Sequence, residues 1–130
     1  MASTYDFKKV TLTINGAIIS GFADGDAIVK EASEETVTAE QGADGTVEFI
    51  NTNKTMETLT LQLQRTSPSN RFLRQWYNDG DTLDVSLVDR NDNAESWSAV
   101  GCRITQSANY SAGSEATPIE WTILMPKVTY

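Results

Sequence analysis

From Glu57 to Gln64 the chain alternates without a break, Leu59, Leu61 and Leu63 standing between Thr58, Thr60, Gln62 and Gln64. Successive side chains of a strand point to opposite faces, so this spacing gives one leucine face and one polar face. Val10, Leu12 and Ile14 repeat the pattern against Thr11 and Thr13, and Leu83, Val85 and Leu87 repeat it again. Thr46 to Ile50, Trp97 to Thr105 and Pro118 to Met125 read as further strands. Half-apolar strands in this number must close their apolar faces on one another, which points to a mainly β chain, an antiparallel sandwich or barrel. The 130 residues suit one domain, residues 1–130, with about two-thirds of the unfolded surface removed from water.

Turn chemistry divides the strands. Asn15-Gly16 is the pair favoured for a type I′ hairpin and predicts a return arm from Ala17 to Phe22. Asp24-Gly25-Asp26 and Gly42-Ala43-Asp44-Gly45 read as turns, and Asp89 to Asn93 as another. Residues 27–40 hold Ile28, Val29, Val37 and threonines among glutamates, which suits a strand pair or one long bent strand that protrudes. One flanking helix is predicted over about 67–78, with Ser67 as cap, Pro68 in the first turn and an end near Asn78-Asp79-Gly80. Its stripe of Phe72, Leu73, Trp76 and Tyr77 should lie against the sheet, burying Phe72 and Trp76 and leaving Arg71, Arg74 and Gln75 in water.

Composition narrows the chemistry. The chain has no histidine, which removes Ser/His/Asp triads, Cys/His pairs and HExxH zinc sites. Cys102 is the only cysteine, so no internal disulfide and no cysteine-rich zinc cluster can form. No apolar run is long enough to cross a membrane, and Met1 to Lys9 carry no signal-peptide core. Eighteen acidic residues against ten basic ones give a net charge of −8, which opposes binding to nucleic acid phosphates. Residues 24–57 hold nine acids (Asp24, Asp26, Glu31, Glu34, Glu35, Glu40, Asp44, Glu48 and Glu57) against Lys30 and Lys54 alone. Such a bias is either a solvated face or a surface that repels polyanions.

Motifs that would carry chemistry are weak. Asp89-x-Asn91-x-Asn93 opens like a calcium loop, but Ala94 replaces the turn glycine and Val100 the bidentate glutamate. Gly42-Ala43-Asp44-Gly45 has the spacing of a nucleic-acid-clamping GxxG loop without basic neighbours. Adjacent Glu34 and Glu35 would point to opposite faces of a strand, unlike the paired carboxylates of a glycosidase. Cys102, beside Arg103, is either a reactive thiol or a small buried hydrophobe. Trp76, Trp97 and Trp121 belong either to a core or subunit contact or to a sugar-stacking face. The expectation is a protein without catalytic residue, metal or cofactor.

Tyr5-Asp6-Phe7-Lys8-Lys9-Val10, Asn15-Gly16, Gly21 to Ile28, Gly42 to Gly45 and Thr66-Ser67-Pro68-Ser69-Asn70 occur in a particular order. In that order the chain resembles the inner tail tube subunits of contractile-tailed bacteriophages, closely over residues 5–75 and in length and strand pattern beyond. The family often carries a basic residue near position 49, where Phe49 and Ile50 stand here. The resemblance implies a structural virion protein, made in the host cytoplasm, with a β-sandwich or barrel-like subunit and one flanking helix. It implies hexameric rings stacked into a conduit for the genome, with sheath and baseplate or terminator proteins as partners and DNA passing without tight binding. On that reading Glu31, Glu34, Glu35, Glu40 and Glu48 are lumen-facing candidates and Gly42, Ala43, Asp44 and Gly45 are candidates for contacts between rings. Residues 27–57 should be mobile in the free subunit. The alternatives are the tube of a bacterial contractile secretion or bacteriocin-like machine, and a carbohydrate-binding sandwich in which Trp97 or Trp121 stacks on sugar.

Overall fold

A computed structural model describes residues 4–130; Met1, Ala2 and Ser3, the first residues of the segment read as lacking a signal core, lie outside the described residues. Ten strands and one helix follow in the order β1 (Val10–Ile14), β2 (Ala17–Ile18), β3 (Ile28–Ala32), β4 (Val37–Gln41), β5 (Val47–Asn51), β6 (Glu57–Leu63), α1 (Ser69–Asp79), β7 (Leu83–Asp89), β8 (Trp97–Ile104), β9 (Ile119–Met125) and β10 (Val128–Thr129). Seven strands run in the order β2-β1-β7-β8-β9-β6-β3 with β10 on β8, and β4-β5 form a separate two-stranded sheet. Every pairing is antiparallel.

The long sheet becomes two layers because β8 belongs to both. Its first half pairs with β7 (Val85 with Ala99, Leu87 with Trp97), and its second half also meets β9 (Arg103 with Leu124, Ile104 with Ile123). Between the halves the register with β7 slips, and Gly101 there has φ +70°. An extra residue with a left-handed glycine bends a strand and reverses which side chains face the core. Trp97 and Ala99 are therefore buried, and then Cys102 and Ile104, one position out of phase.

The apolar faces of both layers share one core: Leu12 and Ile14, Leu59, Leu61 and Leu63, Leu83 and Val85, Trp121, Ile123 and Met125 are all at or near zero exposure. Leu73 of α1 joins them from the side. At about 25 cal/mol per Å² of apolar surface, these side chains supply most of the stabilisation available to the chain.

The Asn15-Gly16 hairpin forms as expected, with φ of 50° and 83° at the two residues. Its return arm, expected to reach Phe22, is a strand only through Ile18. The reason lies at Ser20 and Gly21. Ser69 Oγ accepts from the Ser20 amide at 3.0 Å and Ser67 Oγ donates to the Ser20 carbonyl at 2.5 Å. Gly21, at φ +75°, then turns the chain across to β6, where Phe22 bridges to Leu63. A Cβ on Gly21 would lie 2.7 Å from both Cβ and Oγ of Ser67. Gly21→Ala should therefore cost about 2–5 kcal/mol through left-handed strain and overpacking, read as a lowered midpoint in thermal unfolding.

The helix departs from expectation at three side chains. Leu73 and the half-buried Trp76 and Tyr77 face the sheet, whereas Phe72 is 45% exposed and stacks on Trp76 at 6.1 Å. Arg74, expected in water, is half-buried over Trp121. Ser67 does not cap the helix directly: Pro68 holds the cap position, and Ser67 Oγ accepts from the Ser69 amide at 3.3 Å. Gly80 ends α1 in the left-handed conformation.

Candidate functional site

Two surfaces stand apart from the core. The first is the outer face of the layer formed by β8, β9, β6 and β3. Pairing of Val29 with Thr60, Glu31 with Thr58, Thr60 with Thr122 and Gln62 with Glu120 places these side chains on one side, opposite the leucines. The result is a threonine-rich wall bearing two carboxylates, with Leu124 and the single cation Arg103 on the same side through the pairing of Thr58 with Leu124 and of Leu124 with Arg103. The mouth of the layer beneath it is closed by Lys30, which bonds Glu57 at 2.9 Å and Tyr130, and lies 4.7 Å over the Tyr130 ring. Burial disfavours the Lys30 charge, but the bonds to Tyr130 and Glu57 prevail and raise its pKa.

The second surface is the β4-β5 arm. It is joined to the body only through the ends of β3 and β6, and every residue of β5 is exposed. Its register puts Val37, Ala39, Val47 and Phe49 on one face, with Gln41 and Asn51 at its two ends, and Thr38, Glu40, Glu48 and Ile50 on the other. Phe49 is 73% exposed, and Val37 and Val47 about half. At the tip the Gly42 amide donates to the Thr46 carbonyl at 2.7 Å, and Asp44 Oδ1 accepts from the Thr46 amide at 3.0 Å, which lowers the Asp44 pKa. The total accessible surface is 8772 Å², against about 6,800 Å² for a compact chain of 14.3 kDa. An isolated two-stranded hairpin is marginal in water, and this arm leaves Phe49, Val37 and Val47 exposed on one face.

The five glutamates singled out above occupy three places. Glu31 is on the threonine wall, Glu34 and Glu35 lie in the β3-β4 connection, and Glu40 and Glu48 oppose each other on the arm; all five are exposed. Glu34 is paired with Lys54 at 2.7 Å. Gly42, Ala43, Asp44 and Gly45 form the arm's tip, as the turn reading expected.

The remaining motifs are absorbed by the fold. Asp89 Oδ1 accepts from both the amide and side-chain nitrogen of Asn91, whose amide group also holds Asp6, so this loop fastens the N-terminal segment. Trp97 and Trp121 are 8% and 1% exposed and offer no face to a sugar. Cys102 is buried, and burial followed by the Asp84 charge pushes its thiol up to about 11, opposite to activation by Arg103. A disulfide reagent at pH 8 should therefore react with the native protein at least ~100-fold more slowly than with the urea-unfolded chain. Missed in the sequence was a groove of about 480 Å³ beside α1, lined by Arg65, Asn70, Arg71, Arg74, Tyr110 and Trp121 among others. Its residues are scattered over α1, β9 and two connections, so no local spacing announces it.

The two-layer antiparallel sandwich with one flanking helix has solved counterparts. The solved anti-feeding prophage cap, a tube-terminating cap, shares that fold at a TM-score of 0.63 and 14% identity, over 99% of this chain and 93% of that one. Hcp1 from Flavobacterium johnsoniae aligns at a TM-score of 0.46 and 14% identity, over 92% of each chain. No curated protein matches the sequence. The model of the bacteriophage PhiTE tail tube protein family matches residues 1–129, and the chain belongs to that family. It is a structural subunit of a phage tail tube, a component of the virion tail. Among the described residues no helix is long and apolar enough to cross a membrane.

Proposed function

We propose that this subunit closes into hexameric rings that stack into the inner tube of a contractile tail, through which the genome passes during ejection. The observation that carries the reading is the arm, whose side chains Val37, Val47 and Phe49 share one exposed face. A neighbouring copy supplies the cover, and the free edge of β3 pairs with the neighbour's sheet, which closes that edge. The layer β8-β9-β6-β3 brings four strands. Six copies spaced at about 4.8 Å and tilted by about 45° give a barrel near 160 Å around and 50 Å across, wide enough for a duplex.

The threonine wall lines this channel. Glu31, with Glu34 and Glu35 at its margin, holds the phosphate backbone off the wall by repulsion. The tip, Gly42 to Gly45, reaches the adjacent ring. A sheath surrounds the tube, and baseplate and terminator proteins close its ends.

Two measurements test this reading. Light scattering across a concentration series should give a ring mass near six subunits, and a monomer at every concentration would refute the ring. Phage carrying E31K, E34K and E35K together should assemble normally but eject DNA several-fold more slowly; unchanged ejection would remove the lumenal assignment.

A further inference from the structure

The arginine groove beside α1 is a cation-rich surface on an acidic chain. Arg65, Arg71 and Arg74 are three of only ten basic residues, and they line one groove. The ion pairs among the described residues are Lys30 with Glu57 and Lys54 with Glu34, so none of the three arginines has a carboxylate partner. Two of them are held on aromatic rings, Arg74 4.9 Å over Trp121 and Arg65 4.8 Å over Tyr110. Arg74 also donates to Ser107 Oγ at 2.6 Å, and Arg65 to the Ser111 carbonyl. Guanidinium groups fixed in this way have already lost the rotamer freedom that usually offsets an ion pair. The one carboxylate in the lining is Asp79.

The arm carries the complement. Glu40 and Glu48 are paired residues on its polar face and flank the tip. Like charges directly opposite across two strands destabilise a hairpin, and this pair has no lysine or arginine within ion-pair distance. Cations brought against that face would relieve the repulsion, and the two carboxylates would each gain a guanidinium partner.

We infer that the groove of Arg65, Arg71 and Arg74 receives the Glu40 and Glu48 face of the arm from a second copy of this chain. The inference rests on the tube reading and names the surface that accepts the tip in the adjacent ring. It leaves the apolar face of the same arm for the other contact, so the arm lies between two surfaces of opposite character.

Charge swapping tests it. The groove variant R65E/R71E and the arm variant E40R/E48R should each stay folded, since Arg71, Glu40 and Glu48 are exposed and the half-buried Arg65 lies outside the core, and each should lower the assembled fraction at least tenfold by sedimentation. An equimolar mixture of the two should assemble again, because each groove then meets an arm of opposite charge, and so should the chain with all four changes. Circular dichroism and thermal midpoints of the monomers separate misfolding from lost docking; a variant that misfolds is replaced by R71Q or E48Q, for which a smaller loss in the same direction is expected. Wild-type assembly unaffected by groove reversal, or a mixture no better than its parts, overturns the docking alone. If reversal of the arm hurts assembly but reversal of the groove does not, a different surface takes the arm. Absence of any wild-type assembly overturns the tube reading and this inference with it.

Discussion

Replacing residues 34–55 with Asn-Gly should leave a folded monomer and abolish the tube. The Ser33 amide donates to the Met56 carbonyl at 3.0 Å, and Ala32 pairs with Glu57, so the two strands are already positioned for a tight hairpin once the arm is gone. No arm residue belongs to the buried core. The thermal midpoint should therefore shift by no more than the few degrees that about 1 kcal/mol represents, while assembly is lost entirely. Phe49→Asp is the gentler form of the same experiment. A carboxylate placed in an apolar contact costs at least about 3 kcal/mol, so subunit affinity at each contact should fall by roughly a hundredfold. A deletion variant that still forms tubes would mean that the exposed apolar face has no role in assembly.

Trp121→Ala should have the largest effect on the fold itself. The ring is 1% exposed, lies across from Leu61 on β6 and donates its indole N–H to Asn70 Oδ1 at 3.0 Å. Truncating a buried tryptophan costs about 3–5 kcal/mol, against a total stability of about 5–15 kcal/mol. A drop in midpoint of about 10–25 °C is expected. The change also removes the floor under Arg74, so assembly should fall beyond what lost stability explains. Trp121→Phe keeps most of the packing but leaves the Asn70 oxygen without its donor, and should cost about 1–3 kcal/mol.

Much of the body was legible because its signals are local. The alternation at Leu59, Leu61 and Leu63 marks the buried face of β6 directly, and Asn15-Gly16 marks a hairpin that both φ values confirm. The Gly80 helix end follows from the same kind of cue. Errors arose where tertiary contacts decide. Phe72 was expected in the core on spacing alone, yet Leu73, with Trp76 and Tyr77 packed beside it, takes the side of α1 that meets the sheet, and Phe72 is left exposed against Trp76. The return arm after Gly16 was expected to continue to Phe22, but hydrogen bonds to Ser67 and Ser69, far away in sequence, capture Ser20.

The candidate site was half legible. Charge counting and turn chemistry found the acidic segment and the tip at Gly42 to Gly45, both local properties. That β4 and β5 leave the main sheet, and that Phe49 therefore points outwards, depends on β3 pairing with β6 beneath them. The groove of Arg65, Arg71 and Arg74 exists only because Trp121 of β9 comes against Arg74 of α1 and Tyr110 of the preceding loop against Arg65. Nothing in the spacing of those residues along the chain records that meeting.

The most direct test of the central claim is electron microscopy of the purified wild-type protein as its concentration is raised. The account predicts six-fold rings that grow into hollow tubes, with a β-barrel wall about 50 Å across at the backbone and density for the arm bridging one subunit to the next. Particles that remain compact monomers at every concentration, or filaments without a central channel, would contradict it.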